Sequence, residues 1–221
     1  MKPLPRLLAL TDARVAALGD LAQRAAAIAA VGPAVALVAR LPNGSTDALA
    51  ALACRFVALA APPMAAVYVT GRIDVAWACG ANGVVGRNGD LDTDAMKRAE
   101  HSGAASITHR SPTVYLRSVH SFAEAEHAVG AGVDGLVVGT IWPTASHPGA
   151  AGTGPELIDR VARCGVPVWA IGGVTPERAR EARDAGAWGV ASISAVWDAT
   201  DPNRAALALL EPWRSPEEQG P

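Results

Sequence analysis

Two short segments near the end of the chain carry residues suited to binding a phosphate group. Gly172-Gly173 ends one apolar run, and Ile193-Ser194 ends the next. Glycine has no Cβ, so a ligand can come close to the backbone N–H groups, and Ser194 adds a hydroxyl to a further N–H. The pattern predicts a phosphate site at these four residues. The alternative is that the two glycines only allow a tight turn.

Two histidines are candidates for proton transfer, because imidazole changes its charge near neutral pH. His120 follows one predicted strand, and His147 lies in the long loop after the next strand. We expect His120 to be catalytic and His147 to be a second proton carrier or an anion contact. The alternatives are that His120 caps the following helix together with Ser121, and that His147 is a solvated loop residue.

The elements that must position these residues alternate along the whole chain. Continuous Val, Ile and Ala runs are typical of strands buried on both faces, and the Ala-rich segments between them have helical spacing. The predicted strands are Leu7–Thr11, Ala34–Ala39, Ala66–Thr70, Gly83–Gly86, Val114–Ser118, Gly135–Gly139, Val166–Ile171 and Gly189–Ser194. Strict alternation predicts an α/β fold, a single-domain (β/α)8 TIM barrel, whose functional groups gather at the C-terminal ends of the strands.

Helix boundaries are marked most clearly after the seventh predicted strand. Thr175 can cap a helix that starts with Pro176 and has Glu177 in its first turn, and Gly186 can end it. A second helix is predicted over Phe122–Ala131. An additional apolar stretch at Ala104–Ile107 does not fit the alternation.

Composition limits the class of protein. The chain has 221 residues, half of them hydrophobic, and a formal net charge of −2, which predicts one barrel over residues 1–213 and a disordered tail over residues 214–221. No basic stripe indicates a nucleic-acid partner, and no apolar run is long enough for a membrane or a signal peptide. We expect a cytoplasmic protein whose three cysteines are buried apolar residues rather than metal ligands.

Longer motifs resemble a known family. They are, in order, LLALTD (7–12), GRIDVAWACGANGVV (71–85), SVHSFAEA (118–125), GVDGLVVGTIWPT (132–144), AIGGVTPE (170–177) and GVASISAV (189–196). This combination resembles thiamine phosphate synthase and its paralogue TenI, the thiazole tautomerase, over nearly the whole chain. The resemblance implies a (β/α)8 barrel that binds a small-molecule thiazole phosphate. It also implies that the substrate contacts are Arg40, Thr144, Gly172, Gly173, Ile193 and Ser194.

The chain departs from the synthase where that enzyme holds Mg²⁺ and a pyrimidine pyrophosphate. Only Arg40 remains of a Gln-Leu-Arg-x-Lys motif, and Thr70 and Gly71 replace an Asn-Asp pair that contacts pyrophosphate and metal. Asp90 is kept, although it could instead cap the next helix, and His147 replaces a lysine that meets pyrophosphate. A leaving pyrophosphate needs a hard cation and fixed positive charges. These losses favour a protein that keeps only the monophosphate end of the site.

We therefore expect a thiazole tautomerase of the TenI type, an isomerase that shifts a proton from the thiazole ring to an exocyclic carbon. The resemblance makes His120 its proton carrier, and no metal or other cofactor is required. The first alternative is a thiamine phosphate synthase, a transferase that uses Mg²⁺, with a divergent pyrophosphate site in which Arg40 and Arg87 are the remaining cations. The second is a barrel that binds a small phosphate without catalysis. The oligomeric state stays open, a homo-oligomer included.

Overall fold

The computed structural model describes residues 4–60, 65–87, 89, 90, 92–101, 114–144, 149 and 151–214. Strands and helices alternate through these ranges. The strands are β1 (Leu7–Leu10), β2 (Val35–Ala39), β3 (Ala66–Thr70), β4 (Gly83–Gly86), β5 (Val114–Val119), β6 (Gly135–Val138), β7 (Val168–Ile171) and β8 (Gly189–Ser192). The helices are α1 (Ala13–Ala16), α2 (Leu21–Ala29), α3 (Thr46–Leu59), α4 (Ile73–Cys79), α5 (Thr93–His101), α6 (Phe122–Gly130), α7 (Glu156–Ala162), α8 (Pro176–Asp184), α9 (Ser194–Trp197) and α10 (Pro202–Leu210), followed by a 3-10 turn at Glu211–Trp213.

The strands close into one parallel barrel in chain order, with β8 pairing back onto β1. Leu8, for example, lies opposite Ala36 on β2 and Ala191 on β8. This closure confirms the predicted (β/α)8 fold. Because three strands lie between β3 and β7 in either direction around the closed barrel, these two strands lie on opposite walls.

The buried residues form two layers, one inside the barrel and one between the sheet and the helices. Successive side chains on a strand point to opposite faces, so every second residue faces the interior. Val38, Tyr68 and Val85 belong to the interior cluster, which also contains Leu8, Leu10, Ala36, Leu116, Val137, Trp169 and Ala191. The same alternation directs the residues two positions further along β2, β3 and β4 into the mouth of the barrel.

The predicted start of α8 is confirmed. The Thr175 hydroxyl accepts a hydrogen bond from the Arg178 backbone N–H at 3.3 Å, and Pro176 is the first helical residue. Gly186 follows the helix with φ of +92°, a conformation that favours glycine.

The structure corrects the end of the eighth predicted strand. β8 stops at Ser192, and Ser194 begins the short helix α9, so Ile193 and Ser194 lie in the turn beyond the strand and in the helix. The helices α1 and α10 were not predicted either. The four residues of α1 are too few to show helical periodicity. The stretch Ala104–Ile107 lies outside the described residues, as does the predicted tail beyond Arg214.

The prediction that the three cysteines are buried is wrong. Cys54 on α3 is exposed and forms a disulfide with Cys79 on α4, and Cys164 is half-buried. Both bonded residues lie on helices outside the barrel. The sequence gives no indication of this disulfide, because the two cysteines are far apart in the chain and do not form a CxxC motif. Separately, none of the helices in the described ranges has the length and apolar character needed to cross a membrane.

Candidate active site

A cavity of about 340 Å³ opens at the C-terminal ends of the strands. Its floor is made by interior residues such as Leu10, Val85 and Val137. Its rim carries the polar residues and glycines that follow the strands. Those used below are Arg40, Thr70, Arg87, Ser118, His120, Thr140, Thr144, Gly172, Gly173, Ile193 and Ser194. The two opposite parts of this rim differ in how they are built.

The first part, called here the cationic side, consists of Arg40, Thr70 and Arg87 at the ends of β2, β3 and β4. Burial lowers the pKa of the Arg40 guanidinium, with a further lowering from the charge of Arg87 and an opposing effect from Asp12. Arg40 and Arg87 line the same cavity, so both can contact one ligand bound there. Like charges brought together at a cavity favour an anionic ligand.

The backbone of Arg40 is fixed by Thr11, a buried residue at the end of β1. The Thr11 hydroxyl donates to the Arg40 carbonyl at 2.7 Å and accepts from the Arg40 N–H at 2.9 Å. These two hydrogen bonds fix the direction of the chain at Arg40, directly after β2. Thr11 therefore positions Arg40 without itself lining the cavity.

Arg87 is held by Asp90 through three contacts to the carboxylate. The Arg87 backbone N–H donates at 2.7 Å, and the guanidinium Nε and Nη2 lie 3.3 and 3.4 Å from the two oxygens. Asp90 does not cap α5, because Asp92 accepts the bond from the Ala95 N–H at 2.6 Å.

The residues present do not make the Mg²⁺ site that the family resemblance implies. Gly71 supplies no carboxylate, and the carboxylate of Asp90 is already bonded to Arg87. Elsewhere in the described ranges, no three His, Cys, Asp or Glu residues come together in a group that could hold a metal ion. Both carboxylates of a divalent-cation site are thus replaced or engaged.

The second part of the rim, called here the glycine side, consists of Gly172, Gly173, Ile193 and Ser194 after β7 and β8. Gly172 and Gly173 have φ of +100° and +63°. A Cβ on Gly173 would lie 2.4 Å from the Pro143 carbonyl oxygen. Glycine is therefore required by the turn itself, so the turn alternative holds whether or not a phosphate binds here.

Arg178 on α8 supports this turn from behind. Its Nη1 donates to the Gly173 carbonyl at 2.6 Å, and its guanidinium lies 5.7 Å from the centre of the Trp142 ring. The sequence gives no signal for this contact, because Arg178 is one of several arginines on an exposed-looking helix. It fixes the carbonyl of Gly173, a residue that lines the cavity.

His120 lines the cavity between the two sides. Its Nδ1 is hydrogen-bonded to the Gly139 carbonyl. A carbonyl oxygen can accept a hydrogen bond but not donate one, so Nδ1 must be the donor, and the neutral ring has its lone pair on Nε2. The cap of α6 is made by Ser121, whose hydroxyl accepts from the Glu124 N–H at 3.2 Å, so capping does not account for the side chain of His120.

Seven of the eight predicted site residues thus meet at one cavity, namely Arg40, His120, Thr144, Gly172, Gly173, Ile193 and Ser194. His147 lies outside the described residues. Sequence reasoning missed the cavity residues Thr140 and Ser118. Ser118 could have been predicted, because it lies two residues after Leu116 on β5, and alternate residues of a strand face the barrel interior.

A parallel barrel with a polar cavity at the C-terminal ends of its strands defines a (β/α)8-barrel protein that takes a small-molecule ligand. A family model described as thiamine monophosphate synthase matches residues 7–196. The chain belongs to that family.

Individual relatives agree. The chain is 36% identical to the thiamine-phosphate synthase of Salinispora arenicola over 218 residues, which cover 96% of this chain and 98% of that protein. It is 38% identical to the thiamine-phosphate synthase of Geobacillus kaustophilus over 146 residues, and this match spans 65% of the chain and only 62% of that relative. Among solved structures, a thiamine phosphate pyrophosphorylase from Pyrococcus furiosus aligns with a TM-score of 0.76 at 29% identity, over 93% of this chain and 94% of that one.

These comparisons overturn the prediction of a TenI-type tautomerase. The relatives that match along nearly the whole chain carry the synthase name and not that of an isomerase. The error came from counting the family residues lost at the pyrophosphate end. The losses were given more weight than Arg40 and Arg87, the two cations that remain there, and Arg87 lies against the replaced Gly71.

Proposed function

We propose that this protein is a thiamine-phosphate synthase, a transferase that joins a pyrimidine diphosphate to a thiazole phosphate. The carrying observation is that one cavity has two separate places for anionic groups on opposite walls. Arg40 and Arg87 form the cationic side, and the turns after β7 and β8 form the glycine side. A reaction of two phosphate-bearing substrates needs both, whereas a rearrangement of a single thiazole phosphate leaves the second guanidinium without a ligand.

The proposed arrangement puts the diphosphate of the pyrimidine substrate at the cationic side and the monophosphate of the thiazole at the glycine side. In the transfer, a bond forms between the thiazole ring and the carbon that bears the diphosphate. The bond from that carbon to the diphosphate oxygen breaks, and its electron pair leaves with the diphosphate. Fixed guanidinium groups stabilise the charge that develops on this oxygen.

His120 and Thr144 are proposed to contact the substrates between these two ends. The Nδ1 bond to the Gly139 carbonyl fixes the ring, so that Nε2 is the atom that can accept a hydrogen bond. In the proposed reaction His120 orients a substrate and has no proton to carry between carbon atoms. Thr144 lies on the loop after β6, next to the glycine side.

The proposal is tested by incubating the purified protein with the pyrimidine diphosphate and the thiazole phosphate, with MgCl2 in one series and EDTA in another. We expect thiamine phosphate and inorganic pyrophosphate to form in equal amounts. Omitting the thiazole phosphate is the control, since pyrophosphate released without it would indicate hydrolysis instead of transfer. Absence of thiamine phosphate in both series would contradict the proposed function.

A further inference from the structure

The space beside Gly71 is occupied by an ion pair. Gly71 has φ of +75°, and a Cβ built on it would lie 2.9 Å from Asp90 Oδ2 and 3.0 Å from Arg87 Nη2. A side chain at position 71 would therefore meet the Arg87–Asp90 pair directly. The loop after β4 places a guanidinium where the family resemblance has a carboxylate on the loop after β3.

Asp90 anchors this guanidinium without using all of its donors. The side chain of Asp90 is 14% exposed and that of Arg87 is 51% exposed. A guanidinium has five N–H donors in a rigid fork, and only Nε and Nη2 contact the carboxylate, at 3.3 and 3.4 Å. Arg87 lines the cavity, and no described residue other than Asp90 pairs with its guanidinium, so its remaining donors can contact an anion there.

Thr70 adds an independent sign of a ligand at the same place. Its side chain is buried and lines the cavity, yet Oγ1 has no hydrogen-bond partner among the described residues. A buried hydroxyl without a partner is costly, and a ligand oxygen at the cationic side would satisfy it. Arg40, Arg87 and Thr70 therefore form a set of donors with no metal ligand among them.

We infer that Arg87, together with Arg40, takes the place of Mg²⁺ toward the diphosphate, so that this protein binds the diphosphate group without a metal ion. The inference rests on the proposed function, which supplies the diphosphate. Two guanidinium groups carry the same charge as one Mg²⁺. Their planar forks can each bind two oxygens of a phosphate group, a geometry that a point charge does not provide.

The test is calorimetric titration of the protein with inorganic pyrophosphate, once in EDTA and once in MgCl2. For the unchanged protein we expect binding in EDTA, and binding no tighter in MgCl2, because Mg²⁺ also forms a complex with pyrophosphate in solution. Arg87→Gln should weaken binding in EDTA by about 10–100-fold, because it removes charge-assisted hydrogen bonds. Arg87→Lys should restore only part of it, since lysine keeps the charge but not the fork.

Arg163→Gln is the matched control. Arg163 pairs with Asp159 on α7 and is 73% exposed, and it is absent from the residues that line the cavity. This variant should bind pyrophosphate as the unchanged protein does. Circular dichroism of each variant checks that the barrel is folded.

Failures of the two proposals are distinguishable. Pyrophosphate binding that requires MgCl2, accompanied by thiamine phosphate formation, would overturn the metal-independent site and leave the synthase proposal intact. Unchanged binding in Arg87→Gln would also overturn the inference. Absence of both pyrophosphate binding and thiamine phosphate formation, with or without MgCl2, would overturn both proposals.

Discussion

The two sides of the cavity are built from different parts of the chain. The cationic side consists of side chains. Arg40, Thr70 and Arg87 each lie two residues after an interior-facing residue of β2, β3 or β4, so their side chains point into the mouth of the barrel. The glycine side uses backbone, in turns whose positive φ values and close contacts exclude other residues at Gly172 and Gly173. Side chains can be exchanged with small cost to the fold, whereas a backbone turn cannot. This difference explains why the chain departs from its family on the cationic side and matches it on the glycine side.

The sharpest way to break this comparison is to add one methyl group to the glycine side. Gly173→Ala should lower the free energy of unfolding by about 2–4 kcal/mol, because it combines a strained positive φ with overpacking against the Pro143 carbonyl. Gly165→Ala is the matched control, since Gly165 has φ of +80° and nothing within 4 Å of a Cβ. It should cost only about 1–2 kcal/mol, the backbone strain alone.

Urea denaturation of both variants measures the difference. Equal losses would mean that the close contact at Gly173 is relieved by a small shift, and that the glycine side tolerates change as the cationic side does. The same result would make Gly173 variants usable as probes of phosphate binding. If Gly173→Ala loses more stability than Gly165→Ala, as expected, a change in phosphate binding by a Gly173 variant reflects altered folding as well as altered contact with the ligand.

The second prediction concerns Arg40 on the cationic side. Arg40→Gln should lower kcat/KM for the pyrimidine diphosphate by about 100-fold, the loss expected when a charged hydrogen-bonding partner is removed. Its stability should change little, because Thr11 bonds only to the backbone of Arg40. Steady-state kinetics with each substrate varied in turn gives the measurement, with Arg163→Gln as the control. A rise in KM for the thiazole phosphate alone would reverse the assignment of the two sides.

Much of the site could be predicted from the sequence, because the barrel brings strand ends together. Once eight strands are recognised, residues such as Arg40, His120 and Gly173 must lie at the same face. Helix signals were equally local, as at Thr175 and Pro176. These inferences need only periodicity and short-range hydrogen bonding.

The contacts that decide how the cationic side works could not be predicted in this way. Arg87 meets Gly71 across two different loops, and a comparison of motifs position by position treats the replaced carboxylate and the new guanidinium as unrelated changes. The disulfide between α3 and α4 was not predicted for the same reason, because Cys54 and Cys79 are separated by 25 residues in the sequence. Long-range pairs of this kind depend on register and helix orientation.

The smallest expected effect concerns the hydroxyl on the glycine side. Ser194→Ala removes one neutral hydrogen-bond donor and should weaken binding of the thiazole phosphate by about 3–10-fold, while leaving the affinity for inorganic pyrophosphate unchanged. Ser45→Ala is a suitable control, because Ser45 caps α3 through the Ala48 N–H and does not line the cavity; it should lower stability without changing either affinity. Calorimetric titration of both ligands separates the cases. If Ser194→Ala weakened pyrophosphate and thiazole phosphate equally, the two sides would not be distinct sites, and the comparison between them would fail. An unchanged affinity for both would instead assign phosphate binding on this side to the backbone N–H groups alone.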